Sequence, residues 1–224
     1  MMQMQKLFAA RFHIVEGFTK GEVDYWNKAY DTCITDEISE VHEHLDVFGE
    51  IYEKTLNNRY ELQKEFIDIW HFLMDEFIVG GLDSEKLIEL YVNKYRAGAS
   101  PEGFAQIFGA GDILKAIFNT EKTLISNSKH LILPDDEGNI DSVSVLIASN
   151  YLTAGGRKVR AAISWKHWKK PSDVIDYDKL HDAYVFTFSS LVKCFILCGM
   201  NEDELYNIYV TKNLENVWRQ KLGY

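Results

Sequence analysis

Apolar side chains recur at helical spacing along most of this chain, and few prolines interrupt them. Between residues 35 and 52, for example, a large apolar residue returns every three or four positions. That period places the apolar side chains on one face of a helix. Because the chain contains only 3 prolines in 224 residues, long helices are favoured over strands joined by tight turns. We therefore predict an all-α helical bundle that forms a single domain over residues 1–224.

Glycines, asparagines and helix-capping residues divide the predicted helices. The predicted helical segments are 4–30 (one or two helices), 35–52, 60–79, 83–95, 116–124, 177–197 and 202–219. Residues 126–141 are predicted to be the longest loop, and residues 97–110 a connector that contains a short helix. Residues 142–151 fit either a helix or a strand. The glycines of Thr153-Ala-Gly-Gly156 are expected to break that element.

The overall charge limits the classes of partner. A net charge of −10 argues against binding nucleic acid or an anionic membrane through the general field of the protein. The three cysteines fit reduced thiols and a cytosolic setting, and Cys194 and Cys198 are expected to pack rather than to bind metal. No uninterrupted apolar run approaches the roughly 18 residues that span a membrane.

Two stretches of the chain resemble each other at a constant offset of 118 residues, namely 77–94 and 195–212. Seven pairs of positions are identical between them: Phe77/Phe195, Ile78/Ile196, Gly81/Gly199, Leu87/Leu205, Tyr91/Tyr209, Val92/Val210 and Lys94/Lys212. The pattern predicts repeat-like halves at about 34–96 and 156–224. The alternative is two similar amphipathic hairpins without a common origin.

Two pairs of acids occur on predicted helices. Glu37 and Glu40 are three residues apart, as are Glu65 and Asp68, so each pair shares a helix face. If the two helices pack together, four carboxylates converge, and they repel one another unless a cation lies among them. Hard oxygen ligands suit Mg²⁺. Taken alone, such a pair is more often a solvated helix edge.

Basic residues cluster in two places in the second half. The segment 155–172 contains no acid and carries six basic residues: Arg157, Lys158, Arg160, Lys166, Lys169 and Lys170. A solvated basic face is one interpretation, but the interleaved Trp165 and Trp168 favour a site with an apolar and an anionic partner. On the last helix, Lys212, Asn216 and Arg219 share one face and offer donors for phosphate and for a base or sugar.

These motifs resemble a known family. The C-terminal motif from Lys212 to Tyr224 resembles that of the all-α dimeric dUTPases and of the related phage dCTPase-dUTPases. The two acid pairs resemble the metal motifs of that family, and Asp68-Ile-Trp-His71-Phe72 resembles the sequence after its second motif. Trp165-Lys-His-Trp-Lys169 is similar to a further block.

The resemblance implies a fold and an activity. It implies a helical bundle related to the MazG-like pyrophosphohydrolases, and Mg²⁺-dependent hydrolysis of a deoxypyrimidine nucleoside triphosphate to the monophosphate and pyrophosphate. The favoured substrate is dUTP. The alternatives are dCTP or another pyrimidine triphosphate, or a non-catalytic nucleotide-binding relative. A homodimer is also implied.

The resemblance further implies roles for individual residues. Glu37, Glu40, Glu65 and Asp68 would be the Mg²⁺ ligands, and Glu37 or Glu40 would also orient or deprotonate the attacking water. The residues expected to hold phosphates are Lys166, Lys169, Lys212 and Arg219. The residues expected near the base or sugar are His71, Asn216, Trp165 and Trp168, and Tyr224 completes the C-terminal motif.

The chain departs from the family in the order of its motifs. The tryptophan-lysine block lies in the second half instead of between the two metal motifs. The positions of the second half that match Glu65, Asp68 and His71 are Ala183, Phe186 and Ser189. We therefore expect the metal site in the first half only, with the tryptophan-lysine and C-terminal motifs contributed by the second.

Overall fold

The computed structural model describes residues 1–2, 5, 18–45, 59–95, 113–163 and 175–222 of the chain. The helices in these residues are α1 (Lys20–His44), α2 (Arg59–Val79), α3 (Ser84–Tyr95), α4 (Ile113–Ser126), α5 (Ser142–Ala162), α6 (Tyr177–Leu197) and α7 (Glu202–Lys221). No strand occurs among the described residues. The predicted all-α bundle is confirmed. The predictions for 4, 6–17, 46–52 and 97–110 lie outside the described residues.

Helix α1 is a single helix where the sequence predicted a break between residues 30 and 35. Thr19 and Glu22 cap its start with two reciprocal hydrogen bonds. The Glu22 backbone N–H donates to the Thr19 hydroxyl, and the Thr19 backbone N–H donates to the Glu22 carboxylate. The polar residues at the expected break do not interrupt it. The hydroxyls of Thr32 and Thr35 donate to carbonyls one turn earlier, so they are satisfied within the helix.

The helices of the first half and the second half have matching bounds. Helix α2 begins and ends 118 residues before α6, α1 ends 118 residues before α5, and α3 begins 118 residues before α7. The turn after α2 also matches the turn after α6, with φ of 78° at Gly81 and 76° at Gly199. Glycine adopts this left-handed conformation without steric cost. A common origin of the two halves stays a prediction.

Helix α6 is the central element of the bundle. It packs against α5 along most of its length and also contacts α2, α3 and α4, while α1 packs mainly on α2. By length and composition α6 could cross a membrane, but most of it is buried inside the fold, as in the core helix of a globular protein.

Helix α5 continues through the predicted break at 153–156, so that prediction is wrong. A side chain at Gly155 would collide with Thr187 of α6, and one at Gly156 with the Asp31 carboxylate of α1. The two glycines therefore let α5 approach both neighbours closely. They serve packing here, and the helix hydrogen bonds on either side continue to Ala162.

Replacing Gly80 with alanine should destabilise the bundle. A Cβ at Gly80 would overlap the ring of Tyr184, which is fully buried and donates a hydrogen bond of 2.5 Å to Asn27. We expect Gly80→Ala to lower the free energy of unfolding by about 1–3 kcal/mol in urea denaturation.

Gly21→Ala is the matched control, because a Cβ there meets nothing within 4 Å. Since alanine is the better helix former, this variant should be as stable as the original or up to about 1 kcal/mol more stable. Equal destabilisation by the two substitutions would contradict the close approach at Gly80.

Candidate metal centre

Helices α1 and α2 bring three carboxylates together. Ligand oxygens of Glu37, Glu65 and Asp68 all lie within 4.8 Å of one another, and the three side chains are half-buried. Glu65 and Asp68 are three residues apart on α2, and Glu37 faces them from α1 because the two helices pack side by side. The two acid motifs therefore meet.

Glu40, the fourth predicted ligand, lies at the exposed edge of this group. It is not one of the three acids whose oxygens converge, and its side chain is exposed. Its negative charge nevertheless helps to raise the pKa of both Glu37 and Glu65. Glu40 therefore faces the same site from its rim.

Burial and mutual repulsion oppose ionisation of these acids. Burial, followed by the charges of Asp68, Glu40 and Glu65, raises the pKa of Glu37 to about 8. Burial and the charges of Asp68 and Glu40 also raise the pKa of Glu65. A bound cation would reverse this preference, because it favours the ionised carboxylates.

Helix α7 contributes a lysine to the acid cluster. The Lys212 Nζ lies 2.5 Å from the Asp68 Oδ2, and Lys212 is only 6% exposed. Its charge lowers the pKa of Glu37 and of Glu65, in opposition to the larger effects above. The ammonium group thus offsets part of the negative charge of the cluster, at the point where the C-terminal motif meets the metal motifs.

Two histidines adjoin the acids. The His44 Nε2 lies 3.3 Å from the Glu65 Oε1, a contact that the sequence analysis did not anticipate. The signal was present, since His44 follows Glu37 by seven residues and Glu40 by four, on the same face of α1.

The predicted site residue His71 is buried one turn beyond the acids on α2. Its Nδ1 lies 3.8 Å from the Asp68 Oδ1, and its ring stacks on Tyr209 at 4.8 Å between centroids. Within the described parts of the chain, neither ring nitrogen has a hydrogen-bond partner. His71 therefore keeps donor and acceptor capacity beside the cluster.

The remaining predicted site residues are placed less closely or lie elsewhere. Asn216 is half-buried on α7, and Arg219 is exposed near the end of that helix. The predicted substrate-binding residues that lie outside the described residues are Trp165, Lys166, Trp168, Lys169 and Tyr224.

Further buried acids on α1 and α2 were not singled out by the sequence analysis. Asp75 accepts a hydrogen bond of 2.9 Å from Gln5, and burial raises the pKa of Asp75 to about 7. Glu76 is fully buried with its pKa raised well above the usual value, and Asp31 is paired with Arg160 of α5. The position of two acids inside the apolar sequence of α2 was the available signal.

Comparison with known proteins gives one partial similarity. No family model matches the chain, and no solved structure matches it. A dCTP pyrophosphatase of Enterobacteria phage LZ5 is 30% identical over 82 residues, which cover 32% of this chain and 47% of the phage protein. The match thus spans about half the length of that relative. It agrees with the distant relation to pyrophosphohydrolases that the motifs indicate.

The metal-free protein should lose stability as the pH rises from about 5 to 8. Folded Glu37 keeps its proton up to about pH 8, whereas the unfolded chain releases it near the usual value of 4.5. The unfolded state therefore loses the proton first, and stability falls across that window. Allowing for solvent screening at this half-buried group, we expect Glu37→Gln to be more stable than the original at pH 8 by on the order of 1–2 kcal/mol.

Urea denaturation in EDTA between pH 5 and 8.5 measures this difference. Glu85→Gln, an exposed substitution on α3, is the control and should keep the original pH dependence. If the free energy of unfolding changes with pH equally in Glu37→Gln and in the original protein, the pKa of Glu37 is not raised in the folded state.

Proposed function

We propose that this protein is a Mg²⁺-dependent nucleotide pyrophosphohydrolase that converts dUTP to dUMP and pyrophosphate. The observation that supports this most directly is the convergence of Glu37, Glu65 and Asp68 with Lys212 at their side. The motif resemblance and the partial similarity to a phage dCTP pyrophosphatase favour the same class of reaction. We further propose that the chain acts as one domain built from two related halves.

The three acids fit a magnesium ion. Mg²⁺ prefers oxygen ligands at roughly 2.0–2.1 Å, so carboxylate oxygens within 4.8 Å of one another can share one ion after small adjustments. The cluster offers carboxylate oxygens rather than thiolates, which suits a hard cation. When bound, Mg²⁺ would offset the charge of the triphosphate and lower the pKa of the attacking water.

The side chains around the acids supply the other requirements of the reaction. Glu40 lies at the exposed rim outside the three converging acids, so its carboxylate is best placed to orient the water and accept its proton. A short movement would carry the Lys212 ammonium from Asp68 to a phosphate oxygen, and Arg219 would act on the same phosphate chain.

The base and sugar would lie on the side of the cluster towards His71 and Asn216. The unsatisfied nitrogens of His71 give it a donor and an acceptor for this purpose. We keep Trp165, Lys166, Trp168, Lys169 and Tyr224 as further substrate-binding residues on the strength of the motif resemblance.

Removing one acid of the cluster should abolish hydrolysis. We expect Glu65→Gln and Asp68→Asn each to reduce the rate of pyrophosphate release from dUTP at least ~100-fold. Each substitution removes a charged ligand of the ion and lowers the negative charge of the site. EDTA should stop the original protein, and added Mg²⁺ should restore it.

Glu61→Gln is the matched control, since Glu61 is on the same helix one turn earlier and is paired with Lys64. It should retain most of the activity. Full turnover by Glu65→Gln, or turnover in EDTA, would refute the metal site. Calorimetric binding of dUTP without product would instead identify a non-catalytic nucleotide-binding relative.

The base preference can be tested by competition. With dUTP and dCTP present together at equal concentration, we expect dUTP to be consumed faster. Chromatography of the two monophosphates measures the two rates. The name of the phage relative makes dCTP the second candidate. Preferential release of dCMP would transfer the assignment to dCTP while leaving the reaction class unchanged.

We also propose that the protein forms a homodimer through α7. Leu214 and Trp218 of α7 and Leu222 just after its end are exposed at a spacing of four residues, so they form a short apolar stripe at the end of the helix. Two copies packed through this stripe would cover its apolar side chains.

Sedimentation velocity tests the proposed dimer. We expect Trp218→Asp to shift the protein from dimer to monomer, because it places a charge in the apolar stripe. Ile132→Asp is the control, since Ile132 is as exposed as Trp218, at 63%, but lies outside α7. A monomeric original protein would refute this interface.

A further inference from the structure

The second half of the chain contains a counterpart of the metal centre with the opposite charge. At the offset of 118 residues, the positions of the four predicted metal ligands are occupied by Gly155, Lys158, Ala183 and Phe186. The lysine is retained, because the counterpart of Lys212 is Lys94. The counterpart has thus lost all four acids and gained a second lysine.

The two lysines meet at one aromatic ring. The Nζ of Lys158 lies 4.7 Å from the centre of the Phe186 ring, and that of Lys94 lies 5.9 Å from it. Lys94 of α3 therefore reaches Phe186 of α6 as Lys212 of α7 reaches Asp68 of α2. Where the first half presents carboxylates to a cation, the second half presents ammonium groups.

The charge around the two lysines is only partly neutralised. Lys94 donates to the Asp182 carboxylate at 2.6 Å, so one of the positive charges is paired. In the described part of the chain, Lys158 contacts the face of Phe186 rather than a carboxylate. A cation on a ring face keeps its hydrogen-bond donors available for an anion.

An open cleft adjoins this pair. Its volume is about 450 Å³, and it lies between α3 and α6 with Lys94 on its wall. From α3, Asn93 adds a donor and Lys86 is paired with Glu89, while Asp178 and Asp182 supply negative charge from α6. Both lysines of the cleft are therefore paired with acids, and the unpaired positive charge comes from Lys158, which lies outside the cleft lining.

We propose that Lys94 of the first half and Lys158 of the second half together form a metal-independent binding site for a phosphate anion. The ligand class is a compact phosphate group, carried either by pyrophosphate or by a nucleotide. Two ammonium groups supply the positive charge and donors that such a group requires. The site therefore needs no divalent ion, unlike the acid cluster of the first half.

Calorimetric titration of pyrophosphate into the full-length protein in EDTA tests this site. We expect saturable binding with one pyrophosphate per chain. Lys158→Gln and Lys94→Gln should each weaken binding at least ~10-fold, since each removes one charge-assisted contact. Glu65→Gln should retain it, because the metal centre takes no part without a divalent ion.

Arg157→Gln is the control for general charge, because Arg157 is the exposed neighbour of Lys158 on α5. It should change the affinity by less than about twofold. Absence of saturable binding in EDTA would overturn the proposal. So would equal weakening by Arg157→Gln and Lys158→Gln, or loss of binding in Glu65→Gln alone.

Titrations with dUMP and dUTP under the same conditions identify the source of the phosphate. Binding of dUTP and pyrophosphate alone would support a polyphosphate ligand, and binding of dUMP as well would support a nucleotide. Binding of none of the three would overturn the proposal. Because these titrations contain no divalent ion, their failure would leave the proposed hydrolysis intact.

Discussion

The ion pair between Asp68 and Lys212 is the contact on which the candidate site depends. It joins α2 of the first half to α7 of the second, and both side chains are largely buried. Removing one partner of such a pair typically costs about 3–5 kcal/mol, because the other charge is left uncompensated. The ion pair also places the positive charge of Lys212 among the acids, where it opposes the repulsion that raises the pKa of Glu37.

The two halves share a scaffold but differ in charge at corresponding positions. Matching helix bounds and matching glycine turns give both halves the same frame. Within that frame, carboxylates in the first half correspond to Lys158 and Phe186 in the second. Buried acids repel unless a cation joins them, whereas a lysine on a ring is stable without one. The same geometry can therefore serve a cation in one half and an anion in the other.

Much of the fold could be predicted because helical periodicity is a local signal. The bounds of α2 and α6 follow from apolar spacing and from the glycines after them. The errors arose where a local signal was overruled by packing. Gly155 and Gly156 indicated a break, but they are glycines because α5 approaches Thr187 and Asp31 too closely for any side chain.

The sequence by itself determined the helical class, the two acid pairs and the lysine of the last helix, since spacing alone places residues on a helix face. Only the tertiary structure decided which of these groups meet. It brought Glu37 to Glu65 and Asp68, left Glu40 at the rim, and added His44 from the end of α1. Distances between helices depend on how whole faces pack, and no spacing within one helix contains that information.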